Sequence, residues 1–239
     1  MDFNVQIITE YIPFFMKGIF YTLLISVVSI LFGTILGLAV GLGRLATSRW
    51  LRLPFVWYIN FFRGTPLLVQ LLLIHFGVMP LFMQPASPVI SATVGLSLNA
   101  AAYIGEIFRA GIQSIDKGQT EAARSLGMTH IQTMRYIIIP QAFRRMIPPL
   151  GNEFIVLLKD SSLASVFAAP ELLYWGKAAV AEYMRVWEPY LTVSLIYLVL
   201  TLSLTQLLNY VEKRLNPHDK SKATQKELRV AGGVERDFN

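Results

Sequence analysis

Two groups of residues in this sequence have the types and spacing to do chemistry. The first centres on a carboxylate, Glu153, with Asn152 beside it, in an apolar stretch that ends near Leu158. Glu153 lies eight residues beyond the second member of the basic pair Arg144 and Arg145. That is roughly 12 Å along a helix, deep for an ionisable group. Charges so placed are costly and face a cavity or a partner. Glu153 therefore reads either as a ligand for a cationic or strongly hydrogen-bonding solute or as an ion-pair partner for Arg63, the other charge set deep in an apolar run. Thr65 and Asn99 add uncharged hydrogen-bonding groups; Asn99 and Asn152 suit either a bound solute or a contact between helices.

The second group is Glu121-Ala122-Ala123-Arg124-Ser125-Leu126-Gly127, followed after nine residues by Ile137-Ile138-Ile139-Pro140. Alanines favour helix and let another surface approach closely, Glu121 suits an N-terminal turn, and Gly127 can end the helix in a left-handed cap. The result is a docking knob or, equally, an ordinary helix packed on its own bundle. Catalytic and metal chemistry lack residues to carry them. The chain has no cysteine, and His75, His130 and His218 do not have metal-ligand spacing. It contains no Gly-x-Ser-x-Gly, no His-Glu-x-x-His and no Gly-x-x-x-x-Gly-Lys-Ser/Thr, so any ATP must be held elsewhere.

The elements that must position these residues follow from composition. The 239 residues are 54% hydrophobic and 15% charged, where a soluble domain carries about 25% charge. Five apolar stretches are long enough to cross a bilayer, at about 20 residues each. They are Gly18–Gly43, Leu53–Met83 interrupted at Arg63-Gly64-Thr65-Pro66, Pro88–Phe108, the later part of the stretch ending at Leu158, and Tyr190–Tyr210. Pro66 lacks an N–H and disfavours helical torsions at Thr65, so the second span is expected to kink there and to free backbone polar groups for a ligand. Leu163–Ala169 is expected to dip into the membrane. Ser29, Gly33, Gly37 and Gly41 form a smooth stripe for packing within or between subunits. Glu106 and Arg109 are spaced to pair on one helix. Trp50, Trp57, Trp175 and Trp187 fall near span ends and read as interfacial anchors.

Lysine and arginine crowd the first loop, the middle loop and the tail, which places the N-terminus outside and the C-terminus in the cytoplasm. This topology, rather than nucleic acid, accounts for the net charge of +6. The expected organisation is an extracytoplasmic segment over 1–17, a membrane domain over 18–211 with a cytoplasmic loop at about 112–140, and a basic, solvated tail over 212–239.

The spacing of Glu121-Ala122-Ala123, Gly127 and Ile137-Ile138-Ile139-Pro140 resembles the EAA loop of ABC importer permeases, departing only by Ile139 where the pattern has leucine. Arg63-Gly64-Thr65-Pro66-Leu67, Lys117-Gly118-Gln119, Pro148-Pro149-Leu150-Gly151-Asn152-Glu153 and Lys159-Asp160-Ser161-Ser162-Leu163 narrow the resemblance to the polar amino acid permeases, over about residues 10–215. The resemblance implies an all-α, multi-pass protein of the bacterial cytoplasmic membrane with the type I importer architecture. It would be a subunit without enzymatic activity that forms the pathway for a polar L-amino acid. Glu121, Ala122, Ala123, Arg124, Leu126 and Gly127 would couple it to two ATP-binding subunits, which would bind ATP and magnesium. A second permease subunit, identical or closely related, and an extracytoplasmic amino acid-binding protein complete the expected assembly. Glu153, Asn152, Asn99, Thr65 and Arg63 are the expected substrate ligands, and the charge of Glu153 favours arginine, lysine or histidine. The alternatives are a glutamine importer of the same family and a secondary transporter working without ATP.

Overall fold

The computed structural model describes residues 3–215, which fold as helices with no strand among them. Helix α1 (Val5–Arg44) is 40 residues long and is capped by Asn4, whose side chain accepts from the Gln6 N–H. From Val5 the segment over 1–17 forms the first turns of α1. Packing explains this, because Tyr11 and Phe15 are buried with Leu172, Ala179 and Val193 of later helices. The Tyr11 hydroxyl bonds Glu182, the Tyr183 hydroxyl bonds Glu10, and the Asn4 N–H donates to Glu188 at 3.1 Å.

Helix α2 (Arg49–Gly64) and helix α3 (Leu67–Leu72) meet at Thr65-Pro66, and α3 continues through a π-helical turn (Leu73–Val78) and a short 3-10 turn (Met79–Leu81). The expected kink is a bend of 108°. Helix α4 (Pro88–Gln113) packs along α1 through the glycine stripe: a Cβ on Gly33 would meet Ala100, on Gly37 Ile104, and on Gly41 the Gly105 carbonyl. The Ser29 hydroxyl donates to the Thr93 carbonyl at 3.1 Å. The stripe thus serves packing within one subunit. A Cβ at Gly37 would lie 2.8 Å from Ile104 side-chain atoms, so Gly37→Val is expected to cost about 1–3 kcal/mol by overpacking. A thermal midpoint measured on the purified protein should fall accordingly. Gly64→Ala, with nothing within 4 Å of the added Cβ, should leave it nearly unchanged.

Helix α5 (Lys117–Ser125) and helix α6 (His130–Thr133) form the middle loop, and a π turn (Met134–Ile138) leads into helix α7 (Ile139–Asp160). A 3-10 segment (Ser161–Phe167), helix α8 (Leu172–Tyr183) and helix α9 (Trp187–Leu215) follow. Between α7 and α9 the chain thus holds a 3-10 segment, which takes in most of Leu163–Ala169, and a full helix. Glu171, which no local sequence signal marks, organises them. It is wholly buried, caps α8 by accepting from the Leu173 and Tyr174 N–H groups at 2.8 and 2.7 Å, and accepts from the Tyr197 hydroxyl of α9 at 2.9 Å. The Leu172 N–H donates to Thr22 of α1 at 3.2 Å.

Helices α1, α4 and α9 are long and apolar enough to cross a membrane, and the bent pair α2–α3 qualifies if counted as one span. Helix α7, read from the sequence as span four, does not meet that test. Arg144, Arg145, Glu153, Lys159 and Asp160 give it too much charge. The tail expected from 212 begins inside α9, and its remainder, 216–239 with His218, lies outside the described residues. Trp50, Trp57 and Trp187 are exposed. Trp175 instead packs inside, donating to the Pro170 carbonyl at 3.1 Å beneath Lys17.

Candidate functional site

The break between α2 and α3 shapes the site. Pro66 has no N–H to offer the Phe62 carbonyl four residues back, so that carbonyl needs another donor. Gln70, 2% exposed, supplies one from its Nε2 at 2.8 Å, and the same nitrogen reaches the Thr65 carbonyl and hydroxyl at 3.0 and 2.8 Å. The Asn99 Nδ2 of α4 donates to the Gln70 Oε1 at 2.9 Å and to the Phe62 carbonyl at 3.4 Å. The break therefore does not leave the Phe62 carbonyl free for a ligand. Side-chain amides take it and hold the bend rigidly.

Beside this knot lies a cavity of about 230 Å³ lined by Thr65, Leu67, Asn99, Tyr103, Glu153, Val156 and Asp160. Its walls come from the break, α4 and α7. Glu153, Val156 and Asp160 are three and four apart, so they face it together from α7, and Asn99 and Tyr103 do so from α4. Among the described residues neither the Glu153 nor the Asp160 carboxylate makes a hydrogen bond or an ion pair; the ion pairs are Arg109–Glu106 and Arg185–Glu188. The Asn99 Oδ1 likewise has no protein donor, whereas the Thr65 hydroxyl is used, donating to the Phe61 carbonyl at 2.8 Å. Arg63 does not pair with Glu153. Its guanidinium lies over the Tyr103 ring, 5.2 Å from the centroid. Two carboxylates without a hydrogen bond or ion pair among the described residues, an amide oxygen and an aromatic ring thus line one small cavity.

Of the expected ligands, Glu153, Asn99 and Thr65 come together, and Arg63 stands next to them through Tyr103. Asn152 does not. One residue from Glu153 is about 100° around a helix, and Asn152 faces a separate cleft with Ile155, Thr205, Leu208 and Glu212 toward α9. Asp160 and Tyr103 were missed, although the seven-residue step from Glu153 to Asp160 and the four-residue step from Asn99 to Tyr103 are the helical signal that finds them. A larger apolar groove of about 450 Å³ between α1 and α4 holds none of the expected ligands. His75 is buried, bonded to the Ser91 hydroxyl at 2.8 Å and stacked on Phe167, and no metal-binding cluster exists among the described residues.

The second candidate surface is α5. Asp116 caps it, accepting from the Gly118 N–H at 2.7 Å. Its far end closes as a Schellman motif: the Gly127 N–H bonds the Arg124 carbonyl at 2.9 Å, the Met128 N–H bonds the Ala123 carbonyl at 3.1 Å, and Gly127 sits at φ +78°. Ala123 is buried, while Glu121, Ala122, Arg124 and Leu126 are exposed, Leu126 at 83%. Beneath, Ile115, Ile138, Ala142 and Met146 form a core with Ile107, Phe108 and Ile112. Arg145 of α7 bonds the Ser114 carbonyl, and Gln141 of α7 reaches Gln119 of α5 at 3.3 Å. Helix α5 thus meets α7 through Gln119, and it follows directly on the Ile115 core that joins α4 to α7, the two helices that wall the cavity.

Residues 30–217 match the family described as binding-protein-dependent transport system inner membrane component. The chain is 40% identical over 226 residues to the Bacillus subtilis arginine transport system permease protein ArtQ, covering 92% of this chain and 99% of that one. It is 37% identical over 216 residues to the Escherichia coli glutamine transport system permease protein GlnP, covering 90% and 99%. A crystal structure of an amino acid ABC transporter with histidines superposes with a TM-score of 0.84 at 41% identity, covering 90% of this chain and all of that one.

Proposed function

Since the chain belongs to the family of binding-protein-dependent transport system inner membrane components, as an amino acid ABC transporter permease subunit, we propose that it carries a basic L-amino acid through the cavity of Glu153 and Asp160. The observation behind this reading is the pair of carboxylates in one cavity that make no hydrogen bond or ion pair among the described residues. A guanidinium, ammonium or imidazolium group satisfies them, and the substrate's α-ammonium group offers a second cation. The Asn99 oxygen accepts a further hydrogen bond, and the Tyr103 face suits a cation. Arg63 stands where it can meet the substrate carboxylate once it swings off Tyr103.

Import is driven from outside this chain. Two ATP-binding subunits, holding ATP and magnesium, dock on the exposed face of α5 and move it as a rigid body. Because α5 meets α7 through Gln119 and follows directly on the Ile115 core and the Arg145–Ser114 bond that join α4 to α7, that motion changes the separation of Asn99 and Tyr103 from Glu153 and Asp160. The cavity opens to one side and then the other while its ligands stay attached to their own helices. A second permease subunit and an extracytoplasmic binding protein complete the assembly in the bacterial cytoplasmic membrane, with the C-terminus inside. Glutamine is the second reading, favoured by relatives such as GlnP.

The test is uptake of labelled arginine, lysine, histidine and glutamine by proteoliposomes holding this chain with its ATP-binding subunits and binding protein. ATP-dependent, saturable uptake of the basic amino acids is expected. Uptake of glutamine alone overturns the charge argument, and uptake without ATP overturns coupling through α5.

A further inference from the structure

Helix α2 is held by little of the protein: of its 16 residues only Ile59 is buried. The remaining side chains sort by helical position. Trp50, Leu53, Trp57 and Phe61 form one exposed apolar face, with Trp50 at 83% and Trp57 at 69% exposure. Arg49 and Arg52 lie on the adjoining face, exposed and in no ion pair among the described residues. Nothing nearby in sequence neutralises them, since residues 11–105 contain five basic residues and no acidic one.

The neighbouring helix gives their depth. Leu31, Ile35, Leu38 and Leu42 form an exposed apolar stripe down α1 that stops at Arg44. Gly43 packs under the Phe55 ring, which sets the first turns of α2 alongside the end of that stripe. Hydrocarbon faces the stripe, so Arg49, Arg52 and Trp50 sit at the level where it gives way to headgroups, the level that guanidinium and indole groups favour.

We propose that the first two turns of α2 bind anionic phospholipid headgroups at the membrane surface where α1 ends. The headgroup phosphate accepts hydrogen bonds from Arg49 and Arg52, and the Trp50 and Trp57 rings lie among the glycerol and upper acyl carbons. The charge of the patch fits this occupant better than a second copy of the chain, which would have to bring carboxylates to two guanidiniums. The contact has a mechanical consequence. Helix α2 runs directly into the 108° break whose Thr65 walls the cavity, so lipid fixes the outer end of an arm whose inner end shapes the site.

A full-length chain retaining Trp50 while Trp57, Trp175 and Trp187 are changed to Phe, assembled with its ATP-binding subunits in vesicles, gives the test. Brominated phosphatidylglycerol should quench Trp50 with an apparent affinity above that of brominated phosphatidylcholine, by about fivefold per arginine. Arg49→Gln with Arg52→Gln should abolish the preference, and Arg49→Lys with Arg52→Lys should keep most of it. The chain with all four tryptophans gives a second readout: phosphatidylglycerol retained through purification, measured by mass spectrometry, should fall in the Arg49→Gln, Arg52→Gln variant. Equal quenching by the two lipids overturns the proposal. So does no quenching by either, which would mean that protein covers Trp50.

Discussion

Replacing Glu153 with glutamine is expected to lower ATP-driven arginine uptake by about a hundredfold while changing glutamine uptake less than about threefold. The magnitude follows from removing one member of a desolvated charge pair, which costs about 3 kcal/mol or more. Substrate cation and Glu153 would meet in a cavity bounded by Val156, Leu67 and Tyr103, where water screens little. Glutamine keeps the shape and one acceptor, so the loss reports charge rather than packing. Asp160→Asn should act in the same direction, and the two changes together should fall short of the product of their effects because both carboxylates serve one bound cation. ATP hydrolysis by the assembled variant checks that the subunit still folds and docks. Equal loss of arginine and glutamine uptake would remove Glu153 as the selecting group.

Replacing Gly127 with valine should uncouple the transporter, leaving ATP hydrolysis in the assembled complex while uptake per ATP falls more than about tenfold. No clash contributes, because nothing lies within 4 Å of an added Cβ. The cost is in the backbone. At φ +78° an L side chain loses about 1–2 kcal/mol, and a β-branched one is worse placed still. The Schellman bonds to the Arg124 and Ala123 carbonyls then loosen, and exposed Leu126 loses its fixed position at the end of α5. Gly127→Asn, which visits the left-handed region readily, should restore most of the coupling. Wild-type uptake per ATP in the valine variant would count against α5 as the lever.

Most of the membrane plan was legible because it rests on local signals: uncharged runs, the proline at 66 and the small-residue spacing along α1 and in α5. The kink at Thr65-Pro66 was legible too, but its angle of 108° was not. Its size depends on Gln70 and Asn99 satisfying the Phe62 carbonyl, and Asn99 stands 37 residues away in sequence. A similar limit governed the site. Glu153 announced itself as a charge out of place, and Asn99 as an amide in an apolar span. Asp160 looked like one of several charges closing a helix, and its place in the cavity needed the helical register counted from Glu153. Asn152 was drawn in by adjacency, the wrong measure on a helix. Glu171 sat unremarked beside a proline because its partners, Tyr197 and the start of α8, are brought to it only by tertiary packing. The early start of α1 has the same origin, since Tyr11 and Phe15 find their apolar partners in α8 and α9.

Equilibrium binding of labelled arginine to the purified permease and ATP-binding subunits, without any binding protein present, tests the cavity most directly. Saturable binding is expected, displaced by lysine and histidine but not by glutamine, and lost when Glu153→Gln and Asp160→Asn are combined. Binding that survives the double substitution unchanged would place the substrate elsewhere in the membrane domain and contradict the account.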